Sequence, residues 1–482
     1  MKNNKKRASY LISVEEGDHE EPVNKKSRSL ESCSTSASST TMQQVVLPRD
    51  LIINEILTRV SLQLLVCQCR LVCKDWRRLT YDSNFILTHS QRTPTISGYL
   101  LWMVGERDQI YKFVSFVNHD DQSPQPIPPP PPPLDLDFLP LTPEEKLSGI
   151  VSSSSPHGLF LCSVSSRISF QTSFYVCKPA TREWRKIPSP RDTNDLETLK
   201  ISIVVLSQKQ QQQQSDPLHY KIIRLGTTTR RCSDDEMINA KFRYSINYCY
   251  NLDCEIFDSN NWEWKTLNSS VGSNDHHDEQ LQLLLPSCFN STTATSDPGV
   301  LVHGAVHWLS FNECEICALN INNGNWKIIA LPRDEQLRNE MHDYVSRDHG
   351  ADYIYAHQMR LVECEGELGL LYLGFNKRLT LELWVLKYYS HYHWNVINDV
   401  ETIWNKIYLI DLGPGYGKIS RLDLNCSVLQ LYTKDIVLMK IEDEVIWYNH
   451  KTGIRTLAYK IPSGYWIQNV HPIHSDLLPC NM

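Results

Sequence analysis

The chain has 482 residues, 41% of them hydrophobic and 21% charged, proportions ordinary for a globular protein with room for two or three domains. Its 48 basic and 55 acidic residues leave a net charge of −7, so the overall charge draws it to neither nucleic acid nor anionic lipid. No apolar run reaches the ~18–20 residues that span a bilayer, and MKNNKKRASYLISVEEG lacks the apolar core of a secretory signal, so the 15 cysteines read as reduced thiols of the cytosol or nucleus.

Residues 1–43 are rich in Ser, Thr, Lys and Glu and nearly lack aromatics. Such a segment cannot bury enough apolar area to offset its ordering entropy, and it reads as a disordered tail. It holds two basic clusters, Lys5-Lys6-Arg7 and Lys25-Lys26-Ser27-Arg28, which read as a divided nuclear-import signal or as ordinary solvated charge. The expected location is nucleus and/or cytoplasm.

Residues 44–90 form a helical module. In VVLPRDLIINEILTRV (45–60) Pro48 suits a first helical turn, where its missing N–H is not needed. Leu51, Ile52, Ile56, Leu57 and Val60 then fall on one broad stripe. In LLVCQCRLVCKDWRRL (64–79) Cys69, Val72, Cys73 and Trp76 repeat the rule. A module of about 45 residues lies at the limit of independent stability. Apolar stripes on so small a unit predict a surface for a partner.

From 94 to 470 the chain is built of strands. LFLCSVSS (159–166), ISIVVLS (201–207), VLVHGAVHWLSF (300–311) and LTLELWVL (379–386) are apolar runs bounded by Gly, Asn, Asp, Ser and Pro. Apart from a possible turn at DEQLRNEMHDYV (334–345), no amphipathic helix separates them, which disfavours parallel βαβ architecture. Three stretches read as insertions: the Pro-rich 123–140, the Gln-rich 207–216 and the polar 268–280. The serine run SGIVSSSSP (148–156) reads as a loop open to phosphorylation, and 471–482 as a C-terminal tail. Four units repeat a strand, a polar turn and a second strand: FYVCKPATREWRKIP (174–188), EIFDSNNWEWKTL (255–267), ICALNINNGNWKIIALP (316–332) and VIWYNHKTGIRTLAYKIP (445–462). Trp184, Trp264 and Trp326 stand at corresponding places in three of them. Such units are expected of a β-propeller, although their spacing of about 60–80 residues exceeds a kelch period of ~50.

Within the helical module the chain resembles an F-box. The residues that carry the resemblance are Leu47, Pro48, Asp50, Leu51, Ile56, Leu57, Arg70, Val72, Cys73, Lys74, Trp76, Phe85 and His89. It departs from the family at Arg59-Val60-Ser61-Leu62-Gln63, where a Leu-Pro pair is usual, and this puts the turn between the first helices in question. Residues 94–470 are similar to the F-box-associated region of plant F-box proteins, through YVCKPATREWRKIP, YKIIRL (220–225), GVLVHGAVHWL (299–309), LVECEGELGLLYL (361–373) and LELWVLKYY (381–389) in that order. The implied architecture is a small all-α F-box module followed by a large all-β domain, a kelch-like β-propeller.

The resemblance also implies a function, that of a non-catalytic substrate receptor of a cullin-RING ubiquitin ligase. The F-box docks a Skp-type adaptor, and through it the cullin and RING subunits, while the β domain captures a target protein. The residues implied in adaptor binding are Leu47, Pro48, Leu51, Ile52, Ile56, Leu57, Val72, Cys73 and Trp76. Packing among the helices is an equal reading for Val72 and Trp76; adaptor contact is favoured for Leu47, Pro48 and Leu51. No residue of the β domain is singled out for the target.

Other chemistries find little footing. Cys314 and Cys317 have zinc-ligand spacing, and Cys67, Cys69 and Cys73 cluster, but a structural zinc site needs a second suitably spaced pair. His303 and His307 are four apart, which on one extended strand is more than ~13 Å. No nucleophile elbow or phosphate-binding loop is present. The expectation is no metal and no cofactor. A non-ligase F-box scaffold and, behind it, a propeller enzyme resembling a carbohydrate oxidase are the alternative readings.

Overall fold

The computed structural model describes residues 48–93, 96–106, 108–115, 136–154, 157–168, 172–190, 196–206, 218–231, 248–267, 299–310, 315–332, 359–375, 378–387, 403–414, 426–475 and 477. The tail 1–43 with its basic clusters, Leu47, the Gln-rich and polar insertions, 334–345 and Cys314 lie outside them.

The described strands make six antiparallel sheets. Five are four-stranded, each in chain order. The sixth is three-stranded, because the first strands of the ring join the last. Strands β1 (Ile96–Gly105) and β2 (Gln109–Val114) pair with β23 (Tyr465–Ser475) in the order β2-β1-β23. Blade 1 is therefore β3 (Glu145–Ser154), β4 (Leu159–Ser166), β5 (Thr172–Lys178) and β6 (Glu183–Ile187). Blade 2 is β7 (Leu196–Val205), β8 (Tyr220–Arg231), β9 (Tyr248–Asp258) and β10 (Glu263–Leu267). Blade 3 is β11 (Val300–Val302), β12 (Ala305–Ser310), β13 (Glu315–Asn320) and β14 (Trp326–Ala330). Blade 4 is β15 (Met359–Cys364), β16 (Glu367–Phe375), β17 (Arg378–Leu386) and β18 (Trp404–Pro414). Blade 5 is β19 (Cys426–Thr433), β20 (Ile436–Ile441), β21 (Glu444–Asn449) and β22 (Arg455–Lys460), and the composite β23-β1-β2 sheet is blade 6.

Every blade shares an apolar cluster with each neighbour, from blades 1 and 2 round to blades 6 and 1, which closes a six-bladed β-propeller. This explains why strands such as LFLCSVSS read as continuous apolar runs. Alternate side chains of a strand point to opposite faces, and here both faces are covered. Leu159 and Leu161 pack toward blade 2, while Phe160, Cys162 and Val164 pack toward blade 6.

The four repeated units are the outer hairpins of blades 1, 2, 3 and 5. Each tryptophan lies seven residues after its cross-strand partner: Cys177↔Trp184, Phe257↔Trp264 and Leu319↔Trp326. The hairpins turn through 179–182, 259–262, 321–325 and 450–454, and the fourth loop residue is left-handed each time: Arg182 (φ 56), Trp262 (φ 57), Gly324 (φ 76) and Gly453 (φ 71). The polar residue opening three of these turns caps them. Asp258, Asn320 and Asn449 accept on Oδ1 from the N–H groups of Asn260, Asn322 and Lys451.

Three readings are corrected. The serine run is not a loop: it ends β3, the innermost strand of blade 1, and Ser152, Ser153 and Ser154 are buried. Ser152 Oγ accepts from Ile203 N of the next blade at 3.0 Å. VLVHGAVHWLSF is a hairpin rather than one strand; His303 and Gly304 form its turn and His307 pairs with Val300. The β domain also continues beyond 470, since β23 runs to Ser475 with His471 and Ile473 buried, and Leu136 and Leu139 of the Pro-rich stretch pack between blades 6 and 1.

Inside blade 2, Arg224 and Glu255 form a buried ion pair at 2.8 Å, with Arg224 Nε also donating to Thr198 Oγ1 at 2.8 Å. Breaking one side of such a pair strands a charge in a low-dielectric interior. Glu255→Ala is therefore expected to cost about 3–5 kcal/mol in urea unfolding. A loss below ~1 kcal/mol, the range of surface pairs, would show that water reaches this site.

Candidate functional site

Ahead of the propeller lie helical stretches. Arg49–Leu51, Ile52–Ile56 and Leu57–Arg59 follow one another, as do Leu62–Leu64, Leu65–Cys69 and Arg70–Val72; Lys74–Leu79 and Ser83–Arg92 come next. The ends are set by local chemistry. Val60 is extended (φ −73, ψ 136) and Ser61 caps the next stretch, its Oγ accepting from Leu64 N at 3.4 Å. The serine thus forms the turn that the missing proline had put in question. Asp82 Oδ1 accepts from Asn84 N and Phe85 N, starting the last helix.

The last helix clamps the first. His89 Nε2 donates to the Val60 carbonyl at 2.9 Å, Arg92 Nη1 donates to the Asn54 carbonyl and to Thr58 Oγ1, and Thr93 Oγ1 donates to the Thr58 carbonyl. Burial holds the His89 imidazolium below its ordinary pKa, partly offset by the bond to Val60.

The sequence-predicted residues divide into two sets. Leu57 is 1% exposed and lies in the core of the helical stretches, with Ile52 and Trp76 packed against it. Leu51 (43% exposed), Ile56 (42%), Val72 (63%), Cys73 and Pro48 face outward. Leu64 and Leu71 are also exposed, Leu71 to 81%, and were missed. The signal was available: they are seven residues apart, two turns of one helical face. Leu51, Ile56, Leu64, Leu71 and Val72 make the outward set largely apolar.

Among the described residues no group of three or more His, Cys, Asp or Glu is placed to hold a metal. Cys317 is fully buried in the cluster between blades 2 and 3. His303 Nε2 meets Glu367 Oε2 at 3.1 Å, while His307, on the next strand, donates from Nδ1 to the Val300 carbonyl at 3.0 Å. Burial pushes the Cys69 thiol pKa up, as it does for Cys364 and Cys426, both raised to about 11. These are packing thiols rather than nucleophiles. No described helix is long and apolar enough to cross a membrane.

No family model matches the chain. An F-box protein of Arabidopsis thaliana is 23% identical over 442 residues, 90% of this chain and 97% of the relative. A second Arabidopsis thaliana F-box protein is 30% identical over 179 residues, 36% of this chain and 83% of the relative. Among solved structures, TolB from Acinetobacter baumannii aligns with 78% of this chain and 66% of its own, at 10% identity and a TM-score of 0.28. The AtxE2 isopeptidase aligns with 65% and 40%, at 8% identity and a TM-score of 0.24. Scores this low say nothing of function.

Proposed function

The chain belongs to the F-box proteins, and on that premise we propose that it is the substrate-recognition subunit of a cullin-RING ubiquitin ligase. Its helical stretches are the all-α F-box module and dock a Skp-type adaptor, which brings the cullin and RING subunits. The propeller captures a target protein. The observation that carries this reading is the outward apolar set Leu51, Ile56, Leu64, Leu71 and Val72 on a unit joined to a closed ring. A patch of that kind on a small module marks a partner surface.

In this reading Leu51, Ile56, Val72 and Cys73 contact the adaptor, as do Leu47 and Pro48, while Leu57, Ile52 and Trp76 hold the helices that present the outward set. The protein performs no bond chemistry. It confines a target lysine near the conjugating enzyme's thioester, which makes their encounter effectively intramolecular. The nine cysteines whose side chains are described are free thiols, which fits a nuclear or cytoplasmic location.

Coexpression with a Skp-type adaptor followed by pull-down tests the reading. Losing one central apolar contact costs on the order of 2 kcal/mol, roughly thirtyfold in affinity. The Leu51→Asp, Ile56→Asp double variant is expected to lose the adaptor altogether. Equal recovery with the wild-type chain would exclude this surface.

A further inference from the structure

The helical stretches do not close their own core. Leu57, Leu62, Leu65, Val66, Phe85 and Ile86 pack together, and the cluster is completed by two residues of the β domain, Ala180 and Leu477. Ala180 sits at the tip of the β5–β6 hairpin of blade 1, and Leu477 lies just past β23. Leu477 is buried there, not in the clusters that close the ring, which take Val470 and Ile473 instead.

A polar brace runs alongside. Arg70 Nε donates to Thr80 Oγ1 at 2.9 Å, its guanidinium lies 4.7 Å from the centre of the Tyr81 ring, and its Nη1 is 3.9 Å from Glu183 Oε1 at the start of β6. The other oxygen of Glu183 accepts from Thr181 Oγ1 at 2.9 Å, holding the hairpin loop in shape. Arg70 is therefore desolvated between the helices and the blade, where an ion pair resists sliding better than it would in water.

We propose that the propeller completes the adaptor-binding module in cis: the blade 1 hairpin and Leu477 are structural parts of the surface that presents Leu51, Ile56 and Val72, and they fix its angle to the propeller. The inference rests on the adaptor reading above and adds a condition to it. Because Leu477 follows β23, the module's core is whole only after synthesis has passed Leu477 and the ring has closed. Adaptor docking is thereby conditional on a finished propeller. A fixed angle also keeps a captured target at one distance from the adaptor, which raises effective concentration more than a loose tether does.

The test uses the full chain with Leu477→Asp, Leu477→Met and Glu183→Ala, read by hydrogen exchange of residues 49–92 and by affinity for a Skp-type adaptor. L477D is expected to raise amide exchange across 49–92 at least tenfold and to weaken adaptor binding about tenfold. L477M should do neither, and strands β1 and β3 should keep their protection in both. E183A should loosen 70–81 selectively. If L477D loosens β1 as well, E183A decides: faster exchange at 70–81 with β1 protected upholds the seam, and no change overturns it. Unchanged exchange in both L477D and E183A overturns the proposal even if the wild type binds adaptor. Faster exchange in L477D with no adaptor bound by the wild type leaves the cis-completed core standing and removes the ligase reading instead.

Discussion

Deleting residues 465–482 is expected to abolish cooperative folding of the β domain. The deletion removes β23, which pairs with β1 from Ile96↔Ser475 to Gly105↔Tyr465 with one irregularity at Trp102/Met103. Blade 6 would keep β1 and β2 alone, and a two-stranded ribbon is marginal in water. The loss is felt on both sides of that blade, because Val470 belongs to the cluster with blade 5 and Ile473 to the cluster with blade 1. It also removes a link across the centre, where Arg360 of β15 donates to Asn469 Oδ1 at 3.3 Å and to the Val470 carbonyl at 3.4 Å. Burying a Val or Ile side chain contributes about 1.5–3 kcal/mol. Two such residues and a ten-residue ladder together reach the ~5–15 kcal/mol that stabilises a whole domain. Thermal unfolding followed by circular dichroism should show no cooperative transition in the deleted chain. A transition within a few degrees of the intact protein would mean that the ring does not depend on this closure. Adding the 465–482 peptide in trans should restore part of the transition, since the gap it leaves is one strand wide.

What the sequence disclosed follows from how local each signal was. The outer hairpins of blades 1, 2, 3 and 5 were legible because a short turn, with a capping Asp or Asn in blades 2, 3 and 5 and a tryptophan at fixed register in blades 1, 2 and 3, falls within about twenty residues of sequence. The outer hairpin of blade 4 escaped because β17 ends at Leu386 and β18 begins only at Trp404. The inner strand of blade 1 escaped for a different reason. Ser152 and Ser153 are small and polar, and their composition imitates a loop although both are buried in β3. Ring closure had no local signal at all, since β1 and β23 lie at opposite ends of the β domain. Short helical stretches stand where the sequence carries local caps and stripes, and Ser61 shows that a hydroxyl can do at a cap what a proline does by restricting φ. What could not be read was which part of each stripe is covered. Leu57 and Leu51 look alike in sequence, yet Leu57 lies in a cluster that Ala180 and Leu477 complete and Leu51 faces outward.

Stability is expected to fall on mild acidification, well before the carboxylates titrate. His307 is fully enclosed, donates to the Val300 carbonyl, and is held to a pKa of about 4 chiefly by burial, with the neighbouring His303 adding to the effect. His471 on β23 packs against the Phe160 ring, meets Ser153 Oγ at 3.2 Å, and is held to about 3 by burial and then by the charge of Arg360. In the unfolded chain both imidazoles take up a proton near pH 6.5. The sign follows: between 6.5 and about 4 the unfolded state binds more protons, so stability rises with pH and is lost as pH falls. Each group contributes up to about 1.4 kcal/mol per pH unit, so the pair removes roughly 4–5 kcal/mol between pH 6.5 and 4.5. His89, shifted the same way, adds to the slope. The shifted carboxylates do not compete in this window, because Glu145, Asp258 and Asp435 are lowered from 4.5, 3.8 and 3.8 and lose their contribution only below those values. Urea unfolding at pH 7, 6 and 5 should therefore give a steadily falling free energy. His307→Gln and His471→Gln should each flatten the slope whatever they do to stability at pH 7. A free energy that stays level from pH 7 to 5 in the wild type would show that these imidazoles are protonated in the folded ring, and that the polar groups around Ser153 and Arg360 rearrange to accept the charge.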